Sequence, residues 1–572
     1  MNNIQIFQNI SILTADWSII IKLFIVVLIL VLLGIALYDR FIQRENQLLI
    51  NYPLIGRVRY FFYLLRNPMR QYFGDETFYN SFEKLDWINK VAADKNPYLS
   101  FSPTKPYGNQ KTLFKHANFV KEVNEVQSEF SVTFGKNRKY PFVSKSIVGR
   151  SAMSDGAISP EGTRAFSIGA YKGSFPINTG EGGLTSNFLA TLNVNDCNST
   201  EYLEMKEGTW FAKSVYKIIG SLTNKEVAQR VYRRMVVRQK DKGTFIFDNI
   251  KILYFRIDWT KEMNYFPEKV PSRVADITFQ MGSGLYGVRD NEGKFDEKRY
   301  KKVLSFCRMT EVKLAQGAKQ TGGKLLAAKV SDDIAYYRGV SAHKDLISPN
   351  CFPFTTDMET FFDFTHNLQE LSGKPVGFKI VISTREEFEM YAKALKQRID
   401  EGKNIIDFIT IDGGDGGSAT APLEMMSKIG LPIRESLLIV NDVLNEYGLR
   451  ESIKIIAAEK VLTPDDIVEL LCYGADFINI ARGFMISAGC IRAKECSGAG
   501  GRNCPVGLAT MDETKRSKYL VHQKAKYVAN YHRELLHGVQ SLLAVMGKEN
   551  VSELSMNDIL PHQVNVYTLK KC

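Results

Sequence analysis

The chain has 572 residues, of which 45% are hydrophobic and 24% charged, as in a globular protein. The eight cysteines do not form the framework of an extracellular disulfide-rich domain. The net charge is +12, but basic residues cluster just after an apolar N-terminal segment, which favours an anionic membrane face over nucleic acid as a partner.

The N-terminal segment Ile19–Tyr38 is apolar apart from Lys22 and is long enough to span a bilayer. No basic residue precedes it and no clear cleavage site follows it, which argues against a signal peptide. Several arginines follow it, so the positive-inside rule predicts a single-pass protein whose catalytic body is cytoplasmic. We expect a transmembrane anchor over residues 1–45 and a wrapping segment over residues 46–140, which is irregular from about Asp75 to Tyr140.

Eight short runs with the composition of buried strands follow, separated mostly by helical patterns. They are Ser146–Ser154, Pro176–Gly183 with its glycine turn, Ala275–Gly284, Thr310–Gln316, Pro375–Ser383, Asp407–Asp412, Lys454–Ala457 and Phe477–Ile480. This order predicts an α/β chain with a (β/α)8 TIM barrel over residues 141–512, whose active site lies at the carboxyl ends of the strands.

Two regions do not belong to the regular barrel. The connection over about residues 187–274 is far longer than usual, and its apolar runs Phe211–Leu222 and Thr244–Trp259 predict an inserted subdomain, either a lid or an interaction surface. Residues 513–572 are predicted to form a helical segment packed on the barrel, because an amphipathic pattern runs from Thr514 to Met546.

The turn after strand six contains four glycines in five residues, Gly413, Gly414, Gly416 and Gly417. Glycines let a backbone approach a flat or anionic ligand closely, and barrels of this type commonly bind phosphate at the loops after their last two strands. The alternative is an ordinary turn without a ligand.

Five motifs in chain order resemble the FMN domain of glutamate synthase. They are G-R-S-A-M-S (149–154), I-N-T-G-E-G-G-L (177–184), E-V-K-L-A-Q-G-A-K (311–319), I-D-G-G-D-G-G-S-A-T-A-P (411–422) and C-P-V-G-L-A-T-M-D (504–512). The start of the chain resembles the single-chain, membrane-anchored proteins of this family that lack the glutaminase domain. Residue 2 is Asn2 rather than a nucleophilic cysteine, so glutamine hydrolysis in cis is not expected.

The resemblance implies FMN as the cofactor. Lys379 interrupts an apolar strand, and beside the flavin its charge stabilises the reduced anionic form; a solvated lysine at a strand end is the alternative. The other residues expected to contact FMN are Ala152, Met153 and Ser154 behind the flavin ring, and Gly416, Gly417, Lys460, Arg482 and Gly483 towards the phosphate.

With Lys379, the residues Glu181, Gln316 and Lys319 match the catalytic side of the family motif, where polar side chains bind a dicarboxylate or handle its protons. A structural role in holding loops is the alternative for Glu181. The sequence departs from the family at two loops: Lys319-Gln320-Thr321-Gly322-Gly323 is one residue shorter and lacks a proline, and Glu459 stands where glycine is usual.

Three cysteines, Cys490, Cys496 and Cys504, have the spacing C-x5-C-x7-C, whereas the family has C-x5-C-x4-C. The resemblance implies a 3Fe–4S cluster, and three thiolates suit such a cluster if the glycine-rich loop between the last two bulges outward. Three free cysteines are the alternative.

The resemblance implies reduction of a 2-imino acid, formed from 2-oxoglutarate and ammonia, to glutamate. Electrons would come from an unidentified donor and ammonia from solution or a partner chain. One alternative is a flavin enzyme acting on another amino or hydroxy acid, although no histidine follows a predicted strand, as a hydroxy acid oxidase requires. The other is a membrane-tethered scaffold without catalysis.

Overall fold

The computed structural model describes residues 22–62, 82–98, 112–190, 210–224, 227–228, 231–232, 246–247, 250–251, 274–317, 322–422, 424–425, 427–493, 495–497, 503–516 and 518–560. They divide into two compact units. The smaller unit comprises Met1–Thr77 and Glu207–Lys240, and the larger comprises Phe78–Lys206 and Asp241–Cys572.

Eight parallel strands close into a barrel in the larger unit. Each strand pairs with the next one along the chain, and the last pairs with the first through Ile478 and Val148. The strands are Val148–Arg150, Ile177–Asn178, Ile277–Met281, Met309–Lys313, Val376–Ile380, Phe408–Asp412, Lys454–Ala458 and Phe477–Ile480. The predicted TIM barrel is therefore confirmed, with its strands in the predicted places.

Helices follow the strands and cover the outside of the barrel. They are Pro160–Gly173, Glu297–Leu304, Asp332–Arg338, Met358–Ser372, Arg385–Asp400, Ile433–Glu446, Pro464–Cys472 and Arg482–Ser487. Capping residues set where they begin: Ser159 accepts a hydrogen bond from the Gly162 amide, and Thr384 accepts one from the Glu387 amide. These caps fix the loops between strand ends and helices, and those loops form one end of the barrel.

The predicted C-terminal helix is present as one long helix, Val521–Val545, preceded by the short helix Glu513–Arg516. It packs closely on helix Pro160–Gly173, because Gly169 lacks the Cβ that would otherwise lie 2.6 Å from the Val528 side chain. The Tyr531 hydroxyl donates to the Leu462 carbonyl at 2.7 Å, which ties the helix to the loop after strand seven.

The amino ends of the strands are closed by an antiparallel hairpin, Val132–Phe134 with Phe142–Ser144. The ring of Phe134 stacks on Phe142 at 6.0 Å and meets Phe408 and Phe477 edge-on, at 5.6 and 5.7 Å between ring centroids. Phe408 and Phe477 begin strands six and eight. We call the aromatic cluster of Phe134, Phe142, Phe408 and Phe477 the floor of the barrel.

The hairpin corrects the expectation of an irregular wrapping segment. The same segment also contains an 11-residue helix, Phe82–Ala92, whose residues Leu85, Ile88 and Val91 are buried. The Asn530 side chain on the C-terminal helix donates to the Ala92 carbonyl at 3.0 Å. The hairpin strands have three residues each, too few to show a sequence period, and tertiary packing stabilises both elements.

In the smaller unit, helix Lys22–Ile42 is 21 residues long and has a mean hydropathy of 2.5, with only 6% of its most apolar stretch buried. Among the described residues it is the one helix long and apolar enough to cross a membrane. It ends in the π-helical turn Tyr38–Ile42, where Asp39 accepts a hydrogen bond from Arg57 Nε at 2.8 Å. The short helix Gln47–Asn51 follows.

The predicted insertion is divided between the two units. Helix Trp210–Leu222 belongs to the smaller unit, whereas the paired strands Ile246–Phe247 and Ile250–Lys251 belong to the larger one. Most of the predicted apolar run Thr244–Trp259 lies outside the described residues. The domain boundaries at residues 45, 140 and 512 stay predictions.

Candidate functional site

The carboxyl ends of the barrel strands bring a set of charged side chains together, and we call this end the mouth. Lys379, on strand five, forms an ion pair with Asp412 at the end of strand six, with 3.2 Å between Nζ and Oδ2. Both side chains are almost fully buried. Burial alone would lower the pKa of Lys379, but attraction by Asp412 and Glu311 outweighs it and raises the pKa. Lys379 is therefore a fixed positive charge inside the barrel, rather than a solvated lysine.

Glu311, on strand four, is held by donors from three other strands. Its Oε1 accepts from Asn178 Nδ2 at 2.8 Å and from Gln280 Nε2 at 2.6 Å, and its Oε2 accepts from the Thr410 hydroxyl. Charge-assisted hydrogen bonds of this kind hold a buried carboxylate firmly. Glu311 was not among the predicted site residues, although it begins the motif at residues 311–319. Glu311 and Lys313 are two residues apart on one strand, and this spacing could have indicated two charges that face the inside of the barrel.

A second ion pair joins Lys313 to Glu181, with 2.9 Å between Nζ and Oε1. Lys313 also donates to Gln316 Oε1 at 2.5 Å. The structure thus brings two predicted catalytic residues, Glu181 and Gln316, together through a lysine that was not predicted. The predicted catalytic residue Lys319 lies outside the described residues.

Two of the residues predicted at the phosphate lie side by side. A Cβ added at Gly417 would lie 2.9 Å from a guanidinium nitrogen of Arg482, so Arg482 lies against the glycine turn that contains Gly416 and Gly417. Lys460 is paired instead with Asp415 of the same turn. The described structure therefore joins both predicted cations to this turn.

Glu459, which stands where the family usually has glycine, lies among these charges. Burial and the repulsion of Asp412 and Asp415 raise its pKa well above the usual value, and the attraction of Lys460 and Lys379 only partly opposes this. Glu459 is therefore protonated more readily than an ordinary glutamate. The departure from glycine adds a titratable carboxyl group among the charges of the mouth.

The predicted segment behind the flavin ring, Ala152–Ser154, is half-buried after strand one. Arg150 Nη1 donates to the Met153 carbonyl at 3.1 Å, and the Ser154 hydroxyl oxygen accepts from the Gly182 amide at 3.0 Å. The segment is thus fixed against the loop that carries Glu181. Two neighbouring strand ends therefore form one wall of the mouth.

Gly483 has a different role from the predicted one. The hydroxyl of Tyr531 occupies the space that a Cβ at Gly483 would fill, so packing against the C-terminal helix already requires glycine there. A role for its backbone in phosphate binding stays a prediction.

The three cysteines of the predicted cluster lie near one another. Burial, together with the neighbouring Cys496 and Cys504, raises the pKa of the Cys490 thiol to about 11. Lys329 Nζ donates to the Cys496 carbonyl at 2.6 Å. Within the part of the chain that the structure describes, no three His, Cys, Asp or Glu side chains are arranged to hold a single metal ion. Residues 498–502, predicted to bulge, lie outside the described residues.

A cavity of about 520 Å³ lies elsewhere, along helix Val521–Val545. His532, which lines it, accepts or donates a hydrogen bond with the Ser146 hydroxyl at 2.8 Å, and Ser146 precedes strand one. The cavity is therefore on the side of the floor, away from the carboxyl ends where barrels carry catalysis. We place the candidate active site at the mouth.

The chain resembles known glutamate synthases in sequence. The family model described as "Conserved region in glutamate synthase" matches residues 90–549. The glutamate synthase large subunit-like protein YerD of Bacillus subtilis (strain 168) is 30% identical over 550 residues, which cover 88% of each chain. An archaeal-type glutamate synthase [NADPH] of Thermotoga sp. (strain RQ2) is 26% identical over 294 residues, 51% of this chain and 54% of that protein.

Among solved structures, a chimera of (S)-mandelate dehydrogenase matches with a TM-score of 0.40 and 12% identity, over 84% of this chain and 92% of that chain. The chain spans most of YerD, but only about half of the archaeal-type relatives and 17% of the large chain of Azospirillum brasilense glutamate synthase. The match of the family model over most of the chain, together with the YerD match, shows that the chain belongs to the glutamate synthase family.

Proposed function

We propose that this chain is an FMN-dependent oxidoreductase that reduces the 2-imino acid formed from 2-oxoglutarate and ammonia, giving glutamate. Membership of the glutamate synthase family supports a flavin-dependent oxidoreductase. The observation that carries the proposal furthest is the buried Lys379 on strand five, paired with Asp412 at the mouth of a TIM barrel. A buried positive charge at this end of the barrel is suited to a reaction in which negative charge develops.

The residues at the mouth fit FMN. Lys379 would lie at the flavin ring, the Ala152–Ser154 segment behind it, and Arg482 with the Gly416–Gly417 turn at the phosphate. Asp415 supports this fit, because its Oδ1 is buried without a hydrogen-bond partner among the described residues and can accept a hydrogen bond from a ribityl hydroxyl. Lys460 is paired with Asp415, so it would reach the phosphate only by exchanging partners.

When bound, FMN supplies the hydride that reduces the carbon–nitrogen double bond. The chain's own residues would bind the substrate and deliver a proton to its nitrogen. A substrate carboxylate that binds the Lys313 ammonium group would displace Glu181 from it. Glu181 would then be free to take a proton from water and pass it to the substrate nitrogen. Gln316, which accepts from Lys313, orients that ammonium group.

A 3Fe–4S cluster held by Cys490, Cys496 and Cys504 would bring electrons to the mouth. Cys496 and Cys504 lie close enough to Cys490 to raise the pKa of its thiol, and Cys504 also raises the pKa of Cys496, which supports their convergence. The absence of a single-ion site among the described residues does not conflict with this, since an iron–sulfur cluster is larger than one ion and its ligands need not point to one centre. Such a cluster supplies one-electron transfer when present.

We also propose that helix Lys22–Ile42 anchors the protein in a membrane, with the catalytic body in the cytoplasm. Its length, its hydropathy and its low burial support this proposal. Ammonia would come from solution or from a partner chain, and the electrons would come from an external donor.

The test uses the full chain purified in detergent. Its flavin is identified and quantified, then reduced anaerobically with dithionite, and its absorbance is followed after substrate is added. We expect reoxidation when 2-oxoglutarate and ammonium are added together, and none with either alone or with 2-oxoglutarate and glutamine. Reoxidation by benzoylformate, a 2-oxo acid that hydroxy acid oxidation yields, but not by 2-oxoglutarate with ammonium, would overturn the assignment in favour of another substrate.

A further inference from the structure

We propose that helix Trp210–Leu222 is a second membrane-contacting element, which lies on an anionic lipid surface with its apolar face in the lipid. The inference rests on the membrane anchor proposed above. It assigns a partner to a segment that the barrel chemistry does not use.

Large apolar side chains on this helix are exposed. The exposed fractions are 81% for Trp210, 62% for Phe211, 56% for Ile218 and 77% for Leu222. Phe211, Ile218 and Leu222 are spaced by seven and four residues, so they share one face of the helix. Scattered single apolar residues are normal on a protein surface, whereas a continuous apolar face indicates a contact with another body.

The charge of the helix favours an anionic partner. Trp210–Leu222 contains Lys213 and Lys217, four residues apart, and no acidic residue. In the sequence 207–240, eight residues are basic and two are acidic. Lysines beside an apolar face can place their ammonium groups among lipid headgroups while their methylenes stay near the acyl chains.

Neighbouring segments of the smaller unit point to the same partner. The unit that contains this helix also contains the apolar helix Lys22–Ile42. It exposes further aromatic residues, Phe61 and Phe62, whose rings meet edge-on at 5.8 Å. Aromatic and basic residues next to an apolar span are typical of the membrane–water boundary. The helix therefore belongs to the same compact unit as the proposed anchor, which favours lipid over a soluble protein as its partner.

A helix of the larger unit provides the contrast. On Arg385–Asp400 the exposed large apolar residues are Met390 and Ile399, which are nine residues apart and do not form a face. That helix also contains several acidic residues, among them Glu386 and Glu387 in its first turn. Its surface is that of a solvated barrel helix, and it serves as the control.

The test measures the depth of Trp210 in the full chain reconstituted into vesicles. Trp17, Trp87 and Trp259 are replaced by Phe, so that Trp210 is the sole tryptophan, and its fluorescence is recorded with lipids brominated on the acyl chains. We expect quenching and a blue shift in vesicles containing phosphatidylglycerol, and weaker quenching in phosphatidylcholine alone. In a matched chain whose sole tryptophan is Trp87, little quenching is expected.

Charge removal sharpens the test. Lys213→Gln and Lys217→Gln should each lower the partition of the helix onto phosphatidylglycerol vesicles about fivefold, whereas Lys393→Gln on the control helix should not change it. If the sole-tryptophan chain folds poorly, Trp210→Phe in the otherwise native chain should remove the same quenchable fraction of the fluorescence.

The outcomes separate this inference from the anchor. A chain that resists extraction by carbonate but shows no quenching of Trp210 contradicts the surface contact and leaves the anchor standing. A chain that carbonate extracts, yet whose Trp210 is quenched in anionic vesicles before extraction, supports the surface contact and contradicts the anchor. Quenching that is equal with and without anionic lipid would overturn the electrostatic part of the proposal.

Discussion

The two ends of the barrel are closed in opposite ways. At the floor, Phe134 packs against Phe142, Phe408 and Phe477 with almost no exposed surface. At the mouth, a few residues further along the same strands, the buried side chains are ionised and paired. Apolar packing stabilises a fold without burying charge, whereas buried ion pairs carry a large desolvation cost and add stability only where the geometry is good. The mouth therefore keeps charges for a reason other than stability.

The contrast is not simply apolar against polar, because the floor also has a buried ion pair. Arg138 of the hairpin loop donates to Asp407 at 2.8 Å, and Asp407 also accepts from the Val376 amide and from Gln369. Arg138 belongs to the hairpin, and Val376 and Gln369 belong to a strand start and a barrel helix, so the pair fastens the hairpin to the barrel. At the mouth, Lys379 and Lys313 lie beside segments that match a cofactor motif. The following changes test the division.

The largest expected effect is on stability, at the floor. Phe134→Ala removes a fully buried ring from the aromatic cluster and should lower the free energy of unfolding by about 3–5 kcal/mol, measured by denaturant unfolding in detergent. The flavin content of the folded fraction should stay unchanged. Val143 is an exposed position in the same hairpin, and Val143→Ala should change the free energy of unfolding by no more than about 0.5 kcal/mol. An equal loss at both positions would contradict the claim that the aromatic cluster stabilises the fold.

At the mouth the effect should fall on catalysis. Lys379→Met removes the positive charge and should slow flavin reoxidation by 2-oxoglutarate and ammonium about 10²–10³-fold, as for loss of one electrostatic contact in a transition state. The flavin reduction potential should fall, because a nearby cation favours the anionic reduced form.

The control for this change is Lys393→Met, which alters an exposed lysine on a barrel helix and should leave both quantities unchanged. Because Lys379→Met leaves Asp412 without its cation, bound flavin should be measured first. A variant with full flavin content, unchanged potential and unchanged rate would remove the assigned role of Lys379.

Stability should depend on pH through His532, which hydrogen-bonds Ser146 just before strand one. Burial lowers the pKa of His532 to about 3, so the unfolded chain binds this proton more readily than the folded chain. Stability is therefore complete above the unfolded pKa of about 6.5 and is lost as pH falls below it. One pH unit lower, the loss reaches about 1.4 kcal/mol. Unfolding of His532→Gln between pH 5.5 and 7.5 should lack this component; the same slope in both chains would contradict it.

The smallest effect is expected at Glu459. Burial and the repulsion of Asp412 and Asp415 raise its pKa. Glu459→Gln keeps the shape of the side chain and is always neutral, so FMN affinity should differ least from the native value at low pH, where the native carboxyl is protonated too. As pH rises through the pKa of the folded state, the native carboxyl becomes charged and repels the phosphate, and FMN affinity should fall in the native chain but not in the variant. Fluorescence titration with FMN from pH 6 to 9 checks this; parallel curves would contradict it.

The barrel could be predicted from the sequence because each strand is a short buried run that ends at glycine or polar residues. The helix after the barrel is 25 residues long, so its apolar residues repeat over enough turns for the helical period to be recognised in the sequence. The hairpin at the floor could not be predicted, since its strands are three residues long and Phe134 contacts residues hundreds of positions away. Contacts of that range leave no local pattern.

The candidate site was predicted in part for the same reason. Lys379 and the Gly416–Gly417 turn stand out within their own segments, whereas Asp412 and Lys313 matter because of partners on other strands. Gly483 shows the opposite error: a glycine in a suggestive position is required by the Tyr531 hydroxyl of a distant helix.

The most direct test of the central claim, that the mouth reduces an imino acid derived from 2-oxoglutarate, is product formation in a single turnover. The full chain, with its flavin reduced anaerobically, is mixed with 2-oxoglutarate and ¹⁵N-ammonium, and the products are analysed by mass spectrometry. We predict ¹⁵N-glutamate in an amount equal to the flavin oxidised, and none from the Lys379→Met chain on the same timescale. Flavin oxidation without labelled glutamate, or glutamate formation that does not depend on Lys379, would contradict the claim.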